Sequence, residues 1–90
     1  MTIWKFPLPV IDEAEVRMPR DACLLTVQVQ RDQATLWALV DPTAPTVSRR
    51  FAIRGTGHNA DGLGDMRYVG TLQLAGGALV LHVFDRGEQP

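Results

Sequence analysis

Arginine, histidine and flexible backbone coincide in one stretch of this chain, RRFAIRGTGHNADGLGDMRYVG at residues 49–70. Successive backbone N–H groups through Gly55, Thr56, Gly57 and His58 would form a concave nest for an anion. Arg54 at its lip would add a two-pronged contact to a phosphate or carboxylate. The Thr56 hydroxyl and the His58 imidazole would add hydrogen bonds. Arg50 extends the positive charge, and Trp37 offers a ring for stacking. Together these side chains form the candidate ligand site. The stretch is not a Walker A loop, because the Gly-Lys-Ser/Thr ending is missing. It is not a dinucleotide fingerprint either, because no helix pattern follows. The competing reading is a long hairpin loop whose glycines serve only to allow φ > 0. Residues 42–60 hold Arg49, Arg50 and Arg54 and no acidic residue. That reads either as a local basic patch or as a solvated edge strand guarded by charge.

Other chemistry has less support. His82 lies in the apolar run LVLHVF and shares a face with Val80 and Phe84, which suits a hydrogen-bonded core or interface histidine. His58 and His82 are the only histidines. Without spaced cysteines or a third histidine they make a weak zinc case; Asp61 and Asp65 could join His58, but that is loop composition rather than a motif. Ser48 has no Ser/His/Asp pattern around it. Cys23 with either histidine is generic. The carboxylates are spread without an acid–base pair. The expectation is a protein that binds rather than catalyses, with no cofactor and no metal.

Ninety residues must position these groups, and they make a single domain, 1–90. So short a chain buries roughly 60% of its unfolded surface, leaving a thin core that oligomerisation commonly supplements. The 46% hydrophobic and 21% charged fractions are those of a globular chain. A net charge of -1 argues against generic nucleic-acid binding. Eight of the nine basic residues are arginine, which suits phosphate or carboxylate recognition, although a GC-rich coding bias is the favoured account of the preference. Cys23 stands alone, so no intrachain disulfide forms, as in a reducing cytoplasm. The opening MTIWKFPLPV does not read as a signal peptide. No apolar run reaches the roughly 18 residues of a membrane helix. These features predict a cytoplasmic protein without a membrane partner.

No stretch sustains a helical period; alternation dominates. Residues 2–6 (TIWKF) read as a strand stopped by Pro7 and Pro9, suited to a sheet edge. In residues 14–18, Ala14, Val16 and Met18 face one way. In LLTVQVQ (24–30), Leu25, Val27 and Val29 share a face opposite Leu24, Thr26, Gln28 and Gln30. The segment 31–33 turns the chain, and TLWALV (35–40) returns as a hairpin partner, apolar on both faces and so central or covered. Residues 47–54 resume extended structure. In the strand 66–74, Tyr68, Leu72 and Leu74 share a face, and Gly70 marks a bulge or a close backbone approach. Residues 75–77 close a hairpin, ALVLHVF (78–84) is the last strand, and 85–90 is a frayed polar tail. Seven short strands predict an all-β fold, a small antiparallel sandwich or barrel. The apolar surplus on both faces of 35–40 and 78–84 predicts a homo-oligomer with one of them in its interface.

The segments TIWKFPLP, LLTVQVQ, LWALVDPTAPT, RGTGH and YVGTLQLAGGALVLHVF together resemble a family of small proteins of unknown function from bacteriophages, prophages and their bacterial hosts. LWALVDP and GTGH are the most specific pieces, and the resemblance spans about residues 3–84. It implies a phage-type accessory protein acting in the host cell, and it assigns no residue a role. Joined to the arginine-flanked loop, it leads to the expectation of a protein that sequesters a small anionic, nucleotide-derived ligand to counter host defence. The alternative is a structural or interaction protein, either a minor virion component or an inhibitor docking on a host protein.

Overall fold

The computed structural model describes residues 1–89. Seven strands follow one another: β1 (Thr2–Pro7), β2 (Glu13–Pro19), β3 (Cys23–Gln30), β4 (Gln33–Val40), β5 (Thr46–Gly55), β6 (Arg67–Leu74) and β7 (Leu79–Gln89). The only helical turn among the described residues is the 3-10 segment Ala75–Gly77. The strands form two antiparallel sheets, one ordered β1-β4-β3 and the other β2-β5-β7-β6. The fold is therefore an all-β sandwich, with the expected number of strands and no closed barrel. No helix among the described residues is long and apolar enough to cross a membrane.

Alternation builds the core. Ala14, Val16 and Met18 of β2, Leu36, Ala38 and Val40 of β4, and Leu81 and Val83 of β7 all point between the sheets. Leu8, Met18, Leu36, Val40, Phe51 and Val83 are fully buried, each contributing about 1.5–3 kcal/mol of burial free energy. Strand β4 is central in its sheet, which explains its two apolar faces. The β3–β4 hairpin turns through Arg31 (φ 49) and Asp32 (φ 62), the paired left-handed conformations of a two-residue turn. The sandwich is closed along one side, where β3 and β6 pack together. On the other side β1 and β2 meet only lightly.

Four expectations are corrected by bulges and partners that lie far off in sequence. A register shift between Leu24 and Thr26 turns both Leu24 and Val27 inward and leaves Leu25 exposed. A second shift between Tyr68 and Gly70 puts Tyr68 in solvent and Leu72 in the core, so they do not share a face. Residues 85–89 are not a frayed tail but the last part of β7, paired with β5 from Asp85 to Gln89. Their inward side is polar because Asp85 meets Arg49 there. Arg49 Nε and Nη2 donate to the two carboxylate oxygens at 3.2 and 2.6 Å, and Nη1 donates to the Ala22 carbonyl at 2.6 Å. This pair holds Arg49 above its ordinary pKa, chiefly through the Asp85 hydrogen bonds. Strand β5 is thus central rather than a charged edge, and Arg49 belongs to the interior.

Candidate anion-binding site

The glycine-rich loop begins where β5 ends. His58 N–H donates to Gly55 O at 3.0 Å, closing a turn in which Gly57 takes φ 86, a left-handed conformation that favours glycine. The His58 ring lies over Gly55, so close that a Cβ there would sit 2.9 Å from Nδ1. The rest of the loop is anchored by Leu63, which is buried, and by an Asn59–Asp61 turn.

The Thr56 hydroxyl lies over the outer surface of the second sheet. It lies 2.7 Å from His82 Nε2, and the Thr71 hydroxyl lies 3.0 Å from His82 Nδ1. Tyr68 continues the chain with a hydrogen bond to Thr71. His82 is therefore satisfied on both nitrogens, as expected of a histidine in a strand. The hydroxyls can rotate to serve either tautomer.

Arg54 is turned away from the loop. Its Nη1 donates to the Asp12 and Ile53 carbonyls at 2.7 and 3.1 Å, and Nη2 to Glu13 at 2.9 Å. Glu13 also receives Nε and Nη2 of Arg86. These contacts, Arg86 first, hold the Glu13 carboxyl below its ordinary pKa. Trp37 pairs with Lys5 and Thr26 in the other sheet, so it shares no surface with the loop. The structure thus brings Gly55, Thr56, Gly57 and His58 together, gives Arg54 to Glu13, and separates Trp37.

Arg50 reaches a different place. Beside it, β7 carries an extra residue: Arg50 pairs with Gly87 and Phe51 with Asp85, leaving Arg86 as the bulge. Gly87 takes φ 89, and its N–H donates to Asp85 Oδ1 at 2.8 Å. Next to this bulge β6 starts at Arg67, opposite Asp85. Arg50, Asp65, Arg67, Asp85, Arg86 and Gly87 line a groove of about 410 Å³. Arg50 and Arg67 enter no ion pair among the described residues. The Asp85 charge is already matched by Arg49 from inside. The groove therefore presents two unpaired guanidinium groups, Arg50 and Arg67, and the Glu13-held Arg86, beside one unpaired carboxylate, Asp65.

Arg86 is hidden in the sequence because the polar run 85–90 reads as a tail. The isolated Gly87 within that polar run was the available signal of a bulge. Among the described residues no group of three or more His, Cys, Asp or Glu side chains is placed to hold a metal ion.

No curated protein and no solved structure matches this chain. One family model does, described as Domain of unknown function (DUF7352); it matches residues 1–90, and the chain belongs to that family.

Proposed function

We propose that the protein acts without catalysis, by holding a small anionic ligand in the groove beside the β7 bulge. The observation that carries this reading is that Arg50 and Arg67, in no ion pair among the described residues, line one groove, with Arg86, held by Glu13, in its wall. Planar guanidinium forks match phosphate oxygens in pairs. The groove's volume lies within the roughly 300–1,000 Å³ range of small-molecule sites. The resemblance to phage and prophage proteins supplies a use for such binding: sequestration of a nucleotide signal in the host cytoplasm, against host defence.

Titration calorimetry with pyrophosphate and then with cyclic dinucleotides tests this. Loss of one charge-assisted contact costs about 1.5–3 kcal/mol, on the order of ten- to a hundredfold in affinity. Arg50→Ala and Arg67→Ala should each show that loss, with Arg54→Ala much milder because Glu13 already holds Arg54. Absence of heat with every phosphorylated probe, or wild-type affinity in Arg50→Ala, would remove the groove from consideration. A second reading, a protein-interaction role on a host or virion partner, is favoured by the exposure of Ile3, Trp4 and Leu25 on the smaller sheet.

A further inference from the structure

The sandwich has four edge strands, and three of them are guarded. β3 and β6 pack against each other. β2 carries the exposed charges Glu13, Glu15 and Arg17 and ends at Pro19. β1 has neither cover nor bulge. All of its side chains except Phe6 are exposed, including Ile3 at 59% and Trp4 at 40%, and its single charge is Lys5. An open, mostly apolar edge of this kind is a template for another strand.

The backbone directions can be read from one bond. Leu8 N–H donates to Ala34 O, so residues 8 and 34 form a hydrogen-bonded pair. Pairs along an antiparallel ladder alternate. Thr2, Trp4 and Phe6 therefore turn their N–H and C=O groups toward β4, whereas Ile3, Lys5 and Pro7 turn theirs outward. Pro7, which has no N–H, sits where its missing donor faces away from the sheet.

We propose that this edge is occupied by β1 of a second copy, antiparallel, with the two-fold axis at Trp4. In that register Ile3 stands opposite the partner's Lys5, and each such pair exchanges both N–H···O bonds. The outward donors and acceptors of both residues are then used. Lys5 faces the partner's Ile3 instead of the partner's Lys5, so like charges do not meet head-on. Trp4 stands beside the partner's Trp4 in a non-hydrogen-bonded pair, where side chains approach most closely. The Trp4–Phe6 contact, with centroids 6.5 Å apart, extends the aromatic cluster on both sides of the axis. Such self-complementarity is what a two-fold contact requires. A strand of unrelated sequence would have to supply each of these matches independently. The proposal is independent of the groove, which lies on the other sheet.

Sedimentation equilibrium at micromolar to 100 µM concentration, paired with amide exchange, tests it. Wild type should approach twice 9.9 kDa. Ile3→Pro, which deletes an outward N–H that β4 does not use, should return the monomer with an unchanged far-UV spectrum. Leu25→Asp, on an exposed part of the same sheet, should remain dimeric. In wild type, the Ile3 and Lys5 amides should exchange more slowly as protein concentration rises, a signature of intermolecular protection. That readout stands even if Ile3→Pro fails to fold. A monomeric wild type, concentration-independent exchange at both amides, or dissociation by Leu25→Asp but not by a folded Ile3→Pro would each overturn the proposal.

Discussion

Val27 and Gly70 lock the closed side of the sandwich: a Cβ on residue 70 would lie 2.8 Å from Val27 Cγ1. The two residues come from different sheets, so this contact sets how closely β3 and β6 approach. Val27 is β-branched and has little rotamer freedom with which to yield. Gly70→Ala should therefore destabilise the fold by about 1–3 kcal/mol through overpacking. Urea denaturation of Gly70→Ala, Val27→Ala and the double variant gives the coupling. The double variant should be clearly more stable than the sum of the single effects implies; simple additivity would mean that the approach is not limited here.

Arg49 and Asp85 are 11% and 6% exposed at their side chains. Removing one partner of such a pair leaves a charge in the core and costs about 3–5 kcal/mol. Arg49→Met and Asp85→Asn should each show a loss of this order in denaturant midpoints. The double change Arg49→Met with Asp85→Leu should recover much of it, because no buried charge remains.

Acid should weaken the Glu13 cluster. Its folded pKa lies below the ordinary 4.5 because of Arg86 and then Arg54. Ionised Glu13 thus stabilises the fold fully above the unfolded value, and the contribution fades as pH falls through the folded one. Glu13→Gln should be less stable than wild type at pH 7, with the gap closing below roughly pH 4. The gap should be small and salt-sensitive, since the Glu13 side chain is 35% exposed. Stability measured against pH for both proteins reads this out; a gap that persists in acid would show that the carboxylate charge is not its source.

Thr56 fastens the loop to His82. Thr56→Val removes that bond and should cost about 0.5–1.5 kcal/mol. Amides of residues 57–62 should exchange faster, while those of β7 stay protected. Imidazole ¹⁵N shifts of His82 should change as Nε2 loses its partner. Unaltered His82 shifts would contradict the Thr56–His82 contact.

Sequence and structure agree where side chains simply alternate. The inward set Leu81 and Val83, and the outward set Val80, His82 and Phe84, are legible from ALVLHVF because no bulge interrupts the strand before residue 85. Alternation places Leu25 on the wrong face because one extra residue inverts the parity of the strand before it. Gly70, in contrast, reads as a bulge or a close backbone approach, and the structure has both. Arg54 looked available from its neighbours in the chain, but its partner Glu13 lies 41 residues away. Arg50 is legible as a charge; its approach to Arg67 and Arg86 depends on the β7 bulge, whose local sign is the lone Gly87 but whose partner strands lie far off in sequence.

The placement of β5 bears on how the molecule folds. It lies between β2 and β7, and neither is joined to it by a hairpin. The β3–β4 and β6–β7 hairpins can form locally, while β5 must find both neighbours across intervening strands and bring Arg49 to Asp85. Dominance of such non-local pairing places folding in the millisecond-to-second range. If β5 docks after the rate-limiting barrier, Arg49→Met will accelerate unfolding and leave refolding nearly unchanged. Stopped-flow kinetics in both directions would separate that order from one in which β5 belongs to the nucleus, where refolding would slow instead.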